Sequence, residues 1–153
     1  MGSHIGGFVQ CLLLHGARRV YAVDTGYGVL DYPLRKDDRV VVMERTNALH
    51  VSLPEPVDLV TIDVGWTRQK HILPAALKML NPTGQIVSLV KPHYEAPRAW
   101  LRRGVLPVDK VPVVVATVRA SLEDLGVVVT GQVESPLPGH AGNREVFFCL
   151  RPR

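Results

Sequence analysis

The sequence predicts one α/β domain, a mostly parallel doubly wound sheet of the Rossmann type that ends in an antiparallel strand. Short runs rich in Val and Ile alternate with longer amphipathic segments, which is the order expected of such a sheet. The runs are almost continuously apolar, as is typical of parallel strands covered on both faces. The length of 153 residues, 46% of them apolar, fits one domain with a substantial core.

Four apolar runs predict parallel strands, at 20–23, 40–43, 57–62 and 85–90. Apolar residues at helical spacing predict helices over 7–15 and 68–80, the second ending at an Asn-Pro-Thr-Gly turn over 81–84. A further helix is predicted over about 108–125, since Pro112 suits its first turns and Gly126 follows its last apolar residue. Segments 127–133 and 145–150 flank a Pro/Gly-rich stretch and predict a closing antiparallel pair.

Composition excludes some classes of protein and favours others only weakly. No apolar run approaches the roughly 20 residues of a membrane span, and no secretory signal is recognisable. Cys11 and Cys149 lack metal-type spacing and are expected to be buried free thiols, so we predict a cytoplasmic protein. The net charge of +4 slightly favours a polyanionic partner.

Charged residues stand where the predicted strands end, which is where α/β sheets bind ligands. Asp63 follows the third strand and Lys91 the fourth, while Glu145 begins the strand that runs the other way. These three residues are therefore expected at one end of the sheet, where each could tune the proton affinity of the others. The alternative is that each is an ordinary solvated charge.

A glycine-containing segment opens the chain and leads into the first helix. Gly2, Ser3, Gly6 and Gly7 would let a ligand approach the backbone there, although Gly-Ser-His is also what a cloning vector leaves. Asp24 ends the first predicted strand, where such folds hold a ribose diol, or it caps the turn through Gly26.

The remaining polar and aromatic residues are less informative. The histidines show no metal-ligand spacing, so no metal site is expected. Trp66, Tyr94 and Trp100 could stack on a base, but packing is at least as reasonable an explanation. The short arginine clusters are by default solvated surface.

Together these segments resemble the FtsJ-like RNA ribose methyltransferases, and most closely their hemolysin A (TlyA) branch. The resemblance covers nearly the whole chain in the right order, through the segments 6–13, 21–28, 43–48, 58–64, 89–92 and 142–145. It implies a Rossmann-like domain over residues 1–153 that binds S-adenosylmethionine and methylates a ribose 2′-hydroxyl of ribosomal RNA. Members of this branch have also been called hemolysins.

The resemblance also implies roles for individual residues. The family uses a Lys-Asp-Lys-Glu tetrad, of which Asp63, Lys91 and Glu145 match the last three members. Asp24 would hold the cofactor ribose, Thr46 and Asn47 would lie near its adenine, and Asp63 would also contact the cofactor. The glycine-loop residues Gly2, Ser3, Gly6 and Gly7 would line its methionine end.

This sequence departs from the family pattern in several places. The first tetrad Lys, the first sheet strand and the usual RNA-binding module have no match, so we expect an N-terminally truncated member. Gly65-Trp66 and His93-Tyr94 replace the family's Ser-Phe and Gln-Phe. We expect the gap between the strands ending at Asp24 and Asp63 to be closed by the N-terminal residues or by a neighbouring chain in a homo-oligomer.

Two other functions are consistent with parts of the sequence. A non-catalytic RNA-binding or assembly remnant would explain the absent first Lys. A nicotinamide-dependent oxidoreductase is disfavoured, because the glycine spacing is not G-x-G-x-x-G.

Overall fold

The structure, a computed structural model, describes all 153 residues and contains six strands and five α-helices. The strands are β1 Val20–Val23, β2 Val40–Met43, β3 Val57–Ile62, β4 Leu80–Val90, β5 Val127–Glu134 and β6 Val146–Pro152. The α-helices are α1 Gly7–Leu14, α2 Tyr32–Arg35, α3 Gln69–Met79, α4 Pro92–Glu95 and α5 Val111–Glu123. Short 3-10 turns lie at Arg98–Trp100, Val108–Lys110 and His140–Gly142.

The chain divides into two compact units, and the first covers Met1–Leu53. Its strands β1 and β2 pair in parallel, with Val20 opposite Val40. Helix α1 packs on β1 and α2 on β2. A small apolar core results, formed by Val9, Leu13, Val20, Ala22 and Leu30.

The second unit, Pro54–Arg153, contains a four-stranded sheet in the order β3-β4-β6-β5. β3 and β4 are parallel, whereas β6 runs antiparallel to both of its neighbours, β4 and β5. Three strands of this sheet therefore point the same way, and β6 alone is reversed. Ile86 on β4 and Phe148 and Leu150 on β6 are fully buried. Helix α3 packs on β4, α5 packs on β5, and the two helices contact each other.

The predicted elements agree with the structure except near three boundaries. The predicted turn at 81–84 is instead part of β4: Leu80 pairs with Val57 and Gln85 with Leu59, so the residues between them form a bulge. Asn81 Nδ2 donates to Asp58 Oδ1 at 2.6 Å and holds this bulge against β3. The predicted helix 108–125 begins with a 3-10 turn and is α-helical only in α5, and β6 starts one residue after Glu145.

The structure also bears on the N-terminal residues and the cysteines. Gly2 N and Ser3 N both donate to the Val23 carbonyl, at 2.9 and 3.0 Å, so the N-terminal residues bond to the end of β1 within the first unit. Closure of the gap between the strands ending at Asp24 and Asp63 stays a prediction. The cysteine prediction was wrong, because Cys11 is exposed and Cys149 is only partly buried, although both are free. None of the helices combines the length and apolarity needed to cross a bilayer.

Gly84 in the β4 bulge generates a test of the fold. A Cβ built there would lie 2.9 Å from the Asp58 carbonyl oxygen and 2.7 Å from the Leu80 side chain. We expect Gly84→Ala to destabilise the protein by about 1–3 kcal/mol, because backbone and a buried side chain must both move. Gly131→Ala is the matched control, since its Cβ would meet only Cys149 Cβ at an ordinary 3.5 Å. Equal urea midpoints for the two variants would contradict the bulge.

Candidate functional site

Strand register brings the three charged residues of the second unit to one end of its sheet. Val90 pairs with Val146, so Lys91, which follows the first, and Glu145, which precedes the second, stand at the ends of adjacent strands. β3 pairs with β4 in parallel and ends at Ile62, which places Asp63 at the same end. The structure thus brings together Asp63, Lys91 and Glu145, hereafter the charged trio.

An ion pair joins two members of the trio. Lys91 Nζ lies 2.6 Å from Asp63 Oδ1, and both side chains are partly shielded from water. Such a pair is stronger than a fully exposed one, because less solvent screens it. The lysine is thereby held with its ammonium group at the end of the sheet.

The third member, Glu145, is buried, with 9% of its surface exposed. Burial raises the pKa of its carboxyl above the ordinary value, and the nearby Asp63 charge raises it further, while Lys91 opposes them. The trio therefore combines an ion pair with a buried carboxyl group of raised pKa.

His93 is a buried neighbour of the trio that sequence analysis noted only as a departure from the family pattern. It is 7% exposed and its Nδ1 has no hydrogen-bond partner. Burial, and then the charges of Lys91 and His140, lower the pKa of this imidazole below its ordinary value. The ring is therefore expected to be neutral at pH 7 and to add no second positive charge beside Lys91. The only sign in the sequence that His93 would lie near the trio was its position two residues after Lys91.

A buried polar network anchors the segments that follow Asp63 and Lys91. Glu95 Oε1 at the end of α4 accepts from Gln69 N at the start of α3, at 2.6 Å. The Gln69 side chain accepts from Ser88 Oγ at 2.5 Å and donates to the Leu89 carbonyl at 3.4 Å. These bonds hold the start of α3 against β4 and α4, and thus fix the approach to the trio from both sides.

Two aromatic side chains lie beside each other close in sequence to the trio. Trp66 is 84% exposed, and its ring centroid lies 4.8 Å from that of Tyr94. Trp66 also has a φ of 63°, which is unfavourable for a bulky residue. Packing does not explain so exposed an indole.

In the first unit, the predicted glycine loop adopts a conformation that needs glycine at one point. Gly6 N donates to Ser3 O at 2.8 Å, and Gly6 has a φ of 108°. A Cβ at Gly6 would overlap Leu34 Cδ1, so a side chain is excluded there. Gly7, by contrast, opens α1 with free space around its Cα. Ser3 is buried, and Gly2 has a φ of 74°.

Asp24 is the organising residue of that loop. Its Oδ1 accepts from Gly26 N at 2.8 Å, which is the turn-capping contact that the sequence left as one alternative. Its Oδ2 accepts from His4 N at 2.8 Å and so joins the glycine loop to the end of β1. Each carboxylate oxygen retains capacity for a further donor, because only one bond to each is formed.

Thr46 and Asn47 follow β2 in the same unit. The Thr46 amide donates to the Asp24 carbonyl at 2.9 Å, and its hydroxyl donates to the Glu44 carbonyl at 3.0 Å. Asn47 Oδ1 accepts from Leu49 N at 3.0 Å. Glu44, which sequence analysis did not single out, pairs with Arg35 and accepts from the Gly28 and Leu30 amides, which lower the pKa of its carboxyl. Its role is to anchor the loop after Asp24.

No cluster of three or more His, Cys, Asp or Glu side chains is suited to hold a metal ion. The second unit places the Lys91 ammonium group beside the carboxylates of Asp63 and Glu145. The first unit offers the carboxylate of Asp24, an acceptor suited to hydroxyl and ammonium groups.

Replacement of Glu145 by Gln tests the environment of the trio. Folding raises the pKa of the Glu145 carboxyl. The contribution of this group to the free energy of unfolding is therefore fully present below its ordinary pKa of 4.5, and it is lost as pH rises through the folded pKa. We therefore expect Glu145→Gln to be at least as stable as wild type at pH 7, with its advantage disappearing below about pH 4.5.

Urea titrations across this pH range measure the effect. Glu123→Gln is the control, because this exposed carboxylate pairs with Arg119 on the surface and should contribute less than about 0.5 kcal/mol. A wild type that gains stability relative to Glu145→Gln as pH rises would contradict the burial of this group.

Comparisons with known proteins place the chain in a family. Residues 1–152 match the model of the FtsJ-like methyltransferase family. The chain is 40% identical over 98% of its length to the 16S/23S rRNA (cytidine-2′-O)-methyltransferase TlyA of Mycobacterium tuberculosis, and it spans 58% of that protein.

Solved structures of other proteins also superpose on this chain. One from Streptococcus thermophilus superposes with a TM-score of 0.92 at 38% identity, over 99% of this chain and 57% of the other. The S-adenosylmethionine-dependent methyltransferase of Mesorhizobium loti shares the fold alone, with a TM-score of 0.70 at 18% identity over 98% of this chain and 88% of its own. The predicted Rossmann-like methyltransferase fold is thereby confirmed, and the chain belongs to the FtsJ-like methyltransferase family.

Proposed function

We propose that this protein transfers a methyl group from S-adenosylmethionine to a ribose 2′-hydroxyl of ribosomal RNA. One observation carries the proposal: the ammonium group of Lys91, held 2.6 Å from Asp63, stands with the buried Glu145 at the end of the sheet. A ribose hydroxyl is a poor nucleophile, and a fixed cation beside a hydrogen-bond acceptor is what its activation requires.

Each member of the trio has a distinct role in this proposal. Lys91 stabilises the negative charge that develops on the 2′-oxygen as it attacks. Asp63 keeps Lys91 extended and oriented through the ion pair. Glu145 accepts a hydrogen bond from the hydroxyl and orients it, and its raised pKa makes it a better acceptor than an ordinary carboxylate. It takes the hydroxyl proton as the new oxygen–carbon bond forms and the sulfur–carbon bond of the methyl donor breaks. Because these groups are preorganised, little reorganisation opposes the reaction.

The first unit has groups that fit S-adenosylmethionine. When bound, this cofactor supplies an electrophilic methyl group on a cationic sulfur. Asp24 has acceptor capacity left for the ribose hydroxyls, and the open backbone at Gly7 leaves room for a ligand. We assign Gly2, Ser3, Gly6 and Gly7 to its methionine end and Thr46 and Asn47 to the side of its adenine. For Asp63, in the second unit, contact with the cofactor stays a prediction.

Ribosomal RNA is the proposed partner because of the named relative and because of the surface chemistry. Arg98, Arg102 and Arg103 form an exposed basic stretch in the second unit, suited to phosphates. Trp66 beside Tyr94 offers an aromatic face on which a base can stack.

We further propose that both units make up one methyltransferase domain over residues 1–153. A cytoplasmic location and a homo-oligomer stay predictions.

Substitution of Lys91 tests the chemistry. We expect Lys91→Ala to lower the rate of tritiated methyl incorporation into unmethylated ribosomal subunits by at least about 100-fold, because the developing alkoxide loses its cation. Lys78→Ala, on an exposed helical position, should keep the wild-type rate. A Lys91→Ala variant as active as wild type would overturn the assignment, and RNA binding without any methylation by the wild type would favour the non-catalytic remnant.

Substitution of Asp24 tests the cofactor site separately from the chemistry. We expect Asp24→Ala to weaken binding of S-adenosylhomocysteine by at least about tenfold, because it removes a charged acceptor and releases the loop contacts to His4 and Gly26. Isothermal titration calorimetry measures this, with the exposed Asp38→Ala as control. Unchanged affinity would remove Asp24 from the site, and no heat from wild type at millimolar ligand would remove the cofactor proposal.

A further inference from the structure

The Glu145 side chain lies directly against the backbone of Gly139. A Cβ built on Gly139 would overlap Glu145 Oε1 and would lie 2.6 Å from Cδ and 3.1 Å from Cγ. These are the terminal atoms of a buried side chain, so a Cβ at position 139 would force the carboxylate out of its observed position. A side chain at position 139 and the observed position of the Glu145 carboxylate exclude each other.

The backbone conformation of Gly139 does not itself require glycine. Its φ of −75° and ψ of −170° are extended values that any residue adopts. Glycine is therefore required there by the space that Glu145 occupies, and not by the geometry of the turn.

The loop that presents Gly139 is fixed by Asn143. Gly139 N donates to the Asn143 carbonyl at 2.8 Å, and Gly142 N donates to the Gly139 carbonyl at 3.0 Å. The Asn143 side chain is 3% exposed. Its Oδ1 accepts from Leu106 N at 3.0 Å, and its Nδ2 donates to the carbonyls of Gly104 at 3.1 Å and His140 at 3.0 Å.

These contacts make Asn143 the link between two loops. It joins the 139–143 loop to the turn around Gly104, and it stands two residues before Glu145. The Asn143 side chain makes three hydrogen bonds, one through Oδ1 and two through Nδ2. A shift of the loop would therefore leave buried polar atoms unpaired. The backbone on which Glu145 rests is therefore held from both sides.

We propose that Gly139 and Asn143 are positioning residues for Glu145. The Glu145 carboxylate packs against the Cα of Gly139, which has no side chain, and Asn143 holds the loop that carries Gly139 in place. This rests on the proposed function for its effect on catalysis. Its effect on the Glu145 carboxyl does not depend on turnover.

Gly139→Ala is the central test. The alanine Cβ displaces the carboxylate, so we expect kcat for methyl incorporation to fall by at least about tenfold, because a misplacement of about 1 Å already has large effects. KM for the RNA and the affinity for S-adenosylhomocysteine should change by less than about twofold. Gly131→Ala is the matched control, because it also adds one methyl group to the second unit but contacts only Cys149 Cβ, at 3.5 Å, and not Glu145.

A second substitution distinguishes positioning from general damage. In Glu145→Asp the carboxylate is one methylene shorter, so its carbon takes the position of Cγ, 3.1 Å from the new Cβ, and the overlap made by Glu145 Oε1 is removed once the shorter carboxylate rotates. Adding Gly139→Ala to this variant should therefore lower kcat by less than about threefold, a clear departure from additivity. Equal losses in the Glu and Asp backgrounds would overturn the proposal.

Carboxyl carbon NMR supplies the readout that is independent of activity. Displacement toward water should lower the pKa of Glu145 toward its ordinary value in Gly139→Ala, since burial is the main cause of its elevation. Asn143→Ala should shift it in the same direction. An unchanged pKa in Gly139→Ala overturns the positioning role, whereas a shifted pKa in a protein whose wild type never methylates RNA overturns only the proposed function.

Discussion

The antiparallel pairing of β6 with β4 is the constraint on which the site of the second unit depends. β3 and β4 run in parallel and would by themselves bring only Asp63 and Lys91 to the same end of the sheet. The reversed β6, with Val146 opposite Val90, starts where β4 ends, so the residue before it joins them. A shift of this register by one residue would turn the buried side chains of β6 to the other face. The burial of Phe148 and Leu150 therefore also fixes the location of Glu145.

Burial and charge act against each other at this end of the sheet. Withdrawing Glu145 from water is unfavourable for its ionised form, and Asp63 adds to that effect, while Lys91 offsets part of it. Burial lowers the pKa of His93, which disfavours a second positive charge beside Lys91. The Asn143 contacts hold the backbone next to Glu145, while the Gln69–Glu95–Ser88 network holds the start of α3 against β4 and α4. Buried polar residues thus fix both the backbone beside Glu145 and the segments that follow Asp63 and Lys91.

The sequence predicted the strands well because each is a compact apolar run between polar residues, and β1, β2 and β3 match their predicted bounds. It failed at 81–84, where an Asn-Pro-Thr-Gly segment with strong turn propensity is retained in β4 as a bulge; the pairing of Leu80 with Val57 depends on tertiary contacts that local propensity does not reflect. Helix α2 escaped prediction because it is a single turn capped by Asp31.

The difference between local sequence pattern and tertiary packing applies to the candidate site as well. The predicted order of the strands was enough to place Asp63, Lys91 and Glu145 at one end of the sheet. Which carboxylate pairs with Lys91, the burial of His93 and the contact between Gly139 and Glu145 depend on side-chain packing, and no sequence pattern carried them. For Asp24 the sequence left two readings, and the structure supplies the turn contact to Gly26 while leaving its oxygens able to accept more donors.

The central claim is that this protein methylates a ribose oxygen and not a base. Alkaline hydrolysis of ribosomal RNA labelled by the wild-type protein with tritiated methyl groups tests it most directly, because a 2′-O-methyl group blocks cleavage of the adjacent phosphodiester bond. We expect the label to be recovered in alkali-stable dinucleotides. Label recovered in mononucleotides, and so carried on a base, would contradict it.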